Sequence, residues 1–441
     1  MKSKLFLLLA FLLTGTVFIY AQESEQTEKT NQLDIDLQLR PRAEYRNGYK
    51  FPHDEGDKGA GLINQRSRLT IDYQREGLSA RLGLQNVSIW GQYPVSNPSR
   101  ANTTIYEAWA QLKSKEGFFM KFGRQVLHYN DGRLLSIADW NQASRSHDAL
   151  KFGYQTSLHQ LDAILAFNQH QDIHTGGTYY NNSTGVPYKT MQAAYYQNNQ
   201  IANFTPSVIF INVGLENGDA LTGESRLANL QTFGTNLVYK PLDDLRLTGI
   251  AYYQMGDRPG IGEKTAAYFL GMKGDYELTN QLRLTAATEF MSGEEHNSPH
   301  ANSTYNAFYP LYAGNHGLYG VMDYFVDVGY LNGMNLGIWD NYLGVSYRPT
   351  KKITLGATYH YFLTGSEVYG LADEKLKRGL GSEIDLQFGY DIMRDVKLIC
   401  GYSTFFGTPT MDYVKGGDHK HWQDWAVLTI NVNPRIFSTK W

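Results

Sequence analysis

Residues 33–46, LDIDLQLRPRAEYR, alternate almost without error between apolar and polar side chains. Leu33, Ile35, Leu37, Leu39, Pro41, Ala43 and Tyr45 share one parity; Asp34, Asp36, Gln38, Arg40, Arg42, Glu44 and Arg46 share the other. Successive side chains of a strand point to opposite faces, so this segment has one oily face and one charged face. It is also longer than most soluble strands. The pattern recurs along the chain, behind what reads as an export signal. Long two-faced strands after such a signal predict a closed antiparallel transmembrane β-barrel, apolar towards lipid and charged towards a lumen.

The signal is read over residues 1–21. Lys2 and Lys4 precede an apolar run from Leu5 to Tyr20 that only Thr14, Gly15 and Thr16 interrupt, and Ala21 is the expected last residue. A short polar segment, 22–32, then leads into a single barrel domain over 33–441. No cysteine stands directly after the run, which argues against a lipoprotein anchor, and no other apolar run is long enough for a transmembrane helix. The 32 Tyr and 7 Trp suit a membrane–water interface, where a ring sits in lipid and its polar atom in water. Cys400 is the single cysteine, so no intramolecular disulfide is expected. A net charge of −3 gives no reason to expect a nucleic-acid partner. The length accommodates about 16–18 strands at about 20–25 residues per strand and turn.

The strands pair into hairpins. Residues 63–75 place Asn64, Arg66, Arg68, Thr70, Asp72 and Gln74 on one face; after Glu76-Gly77, residues 78–90 turn Arg81 and Gln85 inward and Leu78, Ala80, Leu82 and Leu84 outward. Segments 104–113 and 118–125 flank Lys115-Glu116-Gly117. Segments 228–240 and 244–255 flank Pro241-Leu242-Asp243, and 266–277 and 281–291 flank Leu278-Thr279-Asn280. Segments 338–348 and 352–364 flank Pro349-Thr350-Lys351, 378–391 and 394–406 flank Ile392-Met393, and the last strand spans about 422–433. The count comes to about 18, with the Tyr-, Asn- and Gln-rich 188–198 its least regular member and 319–331 assigned to a loop. Short turns alternate with long connections at 47–62, 91–103, 126–145, 169–189, 292–337, 365–377 and 407–421. Outer-membrane barrels show this asymmetry, with short periplasmic turns and long external loops.

Two constellations carry the chemistry. Arg40, Arg42, Arg46, Arg66, Arg68 and Arg81 crowd the inward parity of the first three strands, among Asp34, Asp36, Glu44 and Asp72. Arg246, Arg283, Arg348, Glu289, Glu383 and Asp385 extend that parity further on. A guanidinium is always charged and grips carboxylates through paired hydrogen bonds, so this wall can brace the barrel, favour anions, or do both. The second constellation is 122–152, where a long connection carries Asp131, Arg133, Asp139, Trp140, Arg145 and Asp148. A loop with this many charges either folds into the lumen as a constriction or stays outside with exposed ion pairs of little energetic value.

The order Gly123-Arg124-Gln125, Asp131-Gly132-Arg133, Asp139-Trp140, Arg145 and His147–Phe152 resembles the alginate-export family of outer-membrane proteins in its bacteroidetal form. The stretch Asn315–Phe325, NHGLYGVMDYF, resembles the same family, and the likeness spans about residues 33–433. It implies an 18-stranded monomeric barrel that passes an anionic uronate polymer through an Arg-rich lumen. It carries solute-pathway roles onto Arg124, Asp131, Arg133, Asp139, Arg145 and Asp148. One departure is His128-Tyr129-Asn130-Asp131, where the family has Tyr-Gly-Asp; the acid is kept in a looser turn.

The reading is a passive outer-membrane channel of a Gram-negative bacterium for hydrophilic anions such as uronate or alginate-like oligo- or polysaccharides, with no cofactor and no catalysis. Arg40, Arg42, Arg66, Arg68 and Arg81 join the six family-like residues as its lumen path, in a monomer whose partners are lipid and solute. A non-selective general porin is the first alternative; a barrel hydrolase and a plugged structural or adhesion barrel follow. Ser144, Ser146, His147 and Asp148 cannot converge as a triad while they alternate along a strand. Glu294, Glu295, His296, His300 and His316 share one loop, and His419 and His421 flank Lys420, but none has a recognised metal spacing, so no metal site is assigned.

Overall fold

The computed structural model describes residues 31–93, 103–169, 172, 174, 188–218, 225–257, 264–295, 304–325 and 330–441. The expected signal peptide, nearly all of 22–32, and His296 and His300 lie outside them. The first strands are β1 (Gln32–Asn47), β2 (Ala60–Arg75), β3 (Leu78–Ile89), β4 (Thr103–Lys113), β5 (Phe118–Gln125) and β6 (His147–Gln155). Next come β7 (His159–Phe167), β8 (Thr190–Asn198), β9 (Phe204–Gly218), β10 (Ser225–Leu242), β11 (Leu245–Asp257), β12 (Lys264–Thr279) and β13 (Leu282–Met291). The two-residue β14 (Thr304–Tyr305) precedes β15 (Ile338–Thr350), β16 (Ile353–Leu363), β17 (Gly379–Met393), β18 (Val396–Gly407), β19 (Gln423–Val432) and β20 (Arg435–Lys440).

Eighteen of these strands are staves of one closed antiparallel barrel. β14 only adds in parallel to the end of β12, and β20 resumes β19 after Asn433-Pro434. Closure runs through β1, which pairs with β2 on one side and with β19 and β20 on the other. Asn31 and Trp441 exchange backbone hydrogen bonds of 2.7 and 3.0 Å, so both ends of the described chain meet at the rim that carries the short turns. A closed ladder leaves no backbone donor or acceptor facing hydrocarbon, so the barrel can cross a bilayer although no helix among the described residues is long and apolar enough to do so.

The expected strands are present, including 188–198 as β8, and the described part of 319–331 forms no strand. Strand ends at the short turns shift. β10, β12, β15 and β17 run to Leu242, Thr279, Thr350 and Met393, about two residues past the expected ends. Each carries a register shift beside its turn, as between Tyr239 and Leu242 or Asp391 and Met393. A bulge inserts an extra residue and breaks the alternation from which the ends were read.

The lumen also departs from expectation. On β7–β9 the inward parity is apolar as well: Ile164, Met191, Ile209, Ile211, Val213 and Leu215 are buried. They belong to one hydrophobic cluster with Leu127, Leu134 and Leu135 of the 126–146 connection and Phe308, Tyr312, Met322 and Tyr324 of 292–337. Both long connections therefore fold into the barrel and dock on an oily patch of its inner wall. The 407–421 connection contains a short helix, Pro409–Lys415, capped by Thr408.

Candidate functional site: the lumenal loop and the vestibule beneath it

The 126–146 connection enters the lumen because strand arginines hold its polar tip while apolar residues hold its base. Leu135 is fully buried, and its segment runs beside Tyr312 in a short parallel bridge. Tyr312 N–H donates to Leu134 O (2.9 Å), Ser136 N–H to Tyr312 O (3.0 Å) and Gly314 N–H to Gly132 O (3.0 Å). These bonds join the two inward loops into one plug.

At the tip, Asp139 bridges two strands. Arg40 Nη1 on β1 donates to its Oδ2 and Arg66 Nη1 on β2 to its Oδ1, each at 2.8 Å. Arg40 also reaches Asp139 O (2.8 Å) and Gln142 Oε1 (2.9 Å), while Arg66 reaches Ser144 Oγ (2.6 Å). Burial alone would raise the Asp139 carboxyl, but the Arg66 hydrogen bond and the Arg40 and Arg66 charges outweigh it and hold the group below the ordinary aspartate range. Arg42 donates to Trp140 O (2.7 Å), lies 4.0 Å over the Trp140 ring and pairs with Glu44 (3.0 Å). The Trp140 ring also stacks on His316, 3.7 Å between centroids. Arg68 bonds Gln85 (2.7 Å) and covers the Tyr106 ring at 3.6 Å, and Gln85 Nε2 donates to Ala143 O (2.8 Å).

Arg133 forms a second anchor. Its guanidinium meets Asp131 Oδ2 (2.6 Å), Tyr319 OH (3.0 Å) and, most closely, Glu289 Oε1. Arg145 donates to the carbonyl oxygens of Tyr312 and Ala313 (2.9 Å for the latter). Arg81 stays on the barrel wall, paired with Asp72 (2.7 Å) and Glu107 (3.2 Å).

Two of the expected lumen residues lie elsewhere. Arg124 and Asp148 are register partners that pair at 2.9 Å on the parity of the exposed Phe118, Phe122 and Phe152, the outward face of β5 and β6. This corrects their assignment to the solute path. Arg40, Arg42, Arg66 and Arg68 do share the inner wall as expected, but Arg40, Arg42 and Arg66 are engaged by the loop, and Arg68 is held mainly by Gln85 and Tyr106 of the wall; Arg66 is only 1 % exposed.

The open space lies below the plug. A cavity of about 830 Å³ is lined by His128, Asn130, Asp131 and Arg133 from the loop and by Lys240, Arg246, Lys273, Asp275, Arg283 and Glu289 from β10–β13. Lys273 pairs with Asp275 (3.4 Å) and Arg283 with Glu277. Among the described residues, Lys240 and Arg246 make no ion pair. The sequence reading had Arg246 and Arg283 on the inner parity but passed over Lys240 and Lys273, which share it.

No curated protein sequence matches the chain. Its fold matches outer-membrane channels of known structure. Pseudomonas aeruginosa OpdK, solved with vanillate, superposes with a TM-score of 0.58 at 11 % identity over 92 % of this chain and 99 % of that one. Acinetobacter baumannii OccAB2 gives 0.60 at 11 % over 92 % and 98 %, and Pseudomonas aeruginosa OpdN 0.55 at 14 % over 92 % and 100 %. At these identities the likeness concerns the fold. Residues 31–409 match the family model described as alginate export, and so the chain belongs to the alginate-export family as an outer-membrane β-barrel channel.

Proposed function

We propose that this channel passes hydrophilic anions, of the size and charge of small uronate oligosaccharides, by diffusion and without catalysis. The short-turn rim faces the periplasm and the long connections face outside. The observation that carries the reading is the basic vestibule: Lys240 and Arg246 line an 830 Å³ cavity with no carboxylate of their own among the described residues. Unpaired cations in a confined, water-filled space raise the local anion concentration, and several weak contacts let a solute leave as well as enter. The arginines of β1 and β2 act indirectly, because they fix the loop that roofs this space.

Bilayer recordings in a salt gradient test the reading. The wild type is expected to favour anions, and replacing both Lys240 and Arg246 with Gln is expected to move the reversal potential towards zero. An unchanged reversal potential would favour a general porin, in which the paired Lys273 and Arg283 already balance their acids.

A further inference from the structure

Further round the inner wall, β13, β15, β16 and β17 bring acids together. Glu289 and Asp340 are register partners, as are His360 and Glu383; Asp385 follows Glu383 on the same face. His360 Nδ1 lies 2.9 Å from Asp340 Oδ1, and its Nε2 lies 3.5 Å from Asp385 Oδ2. Arg133 already serves both Asp131 and Glu289. Among the described residues, Glu383 has no cationic partner.

Glu383 is fully buried, at 0 % exposure. Its Oε1 accepts the backbone N–H groups of Val321 (2.6 Å) and Met322 (2.9 Å). Gly320 closes over the carboxylate so tightly that a Cβ there would lie 2.6 Å from Oε2. Glu383 Oε2 and Asp385 Oδ1 are both buried without a hydrogen-bond donor, and the two side chains lie two residues apart on the same face of β17. Ser403, the register partner of Asp385 on β18, holds a buried Oγ that is unpartnered too.

Two neighbouring carboxylates that each bury an oxygen without a donor favour positive charge between them, either an ion or a shared proton. The third oxygen, from Ser403, favours an ion. So does a neighbouring cavity of about 390 Å³, lined by His360, Asp385 and Ser403, which supplies water ligands and a way in. Oxygen-only donors of charge −2 suit a hard divalent cation. We propose that Ca²⁺ binds between Glu383 Oε2 and Asp385 Oδ1, with Ser403 Oγ and cavity water completing its shell. The ion ties β17 and β18 to the 320–322 segment of the plug. The proposal does not depend on which solute the channel carries.

The test uses the refolded full barrel in detergent after chelation. Tb³⁺ is the probe, with Trp425, which lines the same cavity, as the sensitising ring. Ca²⁺ is expected to displace Tb³⁺ luminescence, and Glu383→Gln, which keeps the Val321 and Met322 contacts, is expected to weaken Ca²⁺ by about tenfold or more. Ser403→Ala leaves both carboxylates in place and is expected to weaken it less, which serves if Glu383→Gln does not fold. Asp418→Asn, in the loop cluster of Asp412, Asp418 and His419, is expected to change nothing. Equal Ca²⁺ affinity in wild type, Glu383→Gln and Ser403→Ala would overturn the proposal. So would loss of binding in Asp418→Asn, or no Ca²⁺ effect on the wild type, which would leave a shared proton.

Discussion

Asp139 carries the most consequence of any single side chain in the plug. It pairs with Arg40 and Arg66 at once, and Arg66 has almost no access to water. Removing one partner of a fully buried pair costs about 3–5 kcal/mol. The Asp139 side chain is 47 % exposed, so solvent screens much of that. Asp139→Asn is expected to destabilise loop docking by about 1–2 kcal/mol, read as roughly 5–30-fold faster hydrogen exchange across 134–145. Exchange equal to wild type would mean that the apolar base alone holds the loop. The pH dependence has a definite sign. Because the docked carboxyl lies below the ordinary value of 3.8, its contribution is complete above that value and is lost as the pH falls through the lower, docked one. Protection of 134–145 should therefore be flat from neutral pH to about pH 5 and collapse only in stronger acid. The inward parity of the four β1–β2 arginines was legible from alternation, but their partners were not, since strand periodicity says nothing about where a loop goes. The placement of Arg124 was legible and was missed: Phe118, Met120 and Phe122 share its parity and mark an outward face.

At the scale of the element, the two faces of each strand answer to different solvents. Leu386 and Gln387 are neighbours on β17 with opposite destinations. Leu386 shares the outer parity of β17 with the exposed Ile384, and Gln387 shares the inner parity with Glu383 and Asp385. Leu386→Arg is expected to cost about 2–4 kcal/mol near the bilayer midplane, and Gln387→Arg less than about 1 kcal/mol, by urea unfolding in lipid vesicles. Equal costs would reverse the assignment of faces. The strands themselves were readable because half of each alternates against lipid. Their ends were not, because the bulges beside the short turns spoil the period locally. The Pro409–Lys415 helix had a readable start, with Thr408 as cap and Pro409 at the first helical position, but one helical turn between strands leaves no periodic signal.

For the whole molecule, the barrel supplies the wall and the loops supply the restriction. Closure, approximate strand number and the contrast between short and long connections all followed from the sequence, since each is a repeated pattern. The plug did not. Its docking surface, Ile209, Ile211, Val213 and Leu215, reads as an ordinary strand that is oily on both sides, and only the folded chain shows what covers the inner side. The vestibule is likewise a product of assembly, because Lys240, Arg246, Lys273 and Arg283 come from four strands and meet only under the loop. The most direct measurement is single-channel conductance of the wild type against a variant in which 134–145 is replaced by a short Gly-Ser linker. A plug that restricts the lumen predicts a several-fold rise in conductance, with the preference for anions retained because Lys240, Arg246, Lys273 and Arg283 stay on the wall strands. Unchanged conductance would contradict a lumen restricted by this loop.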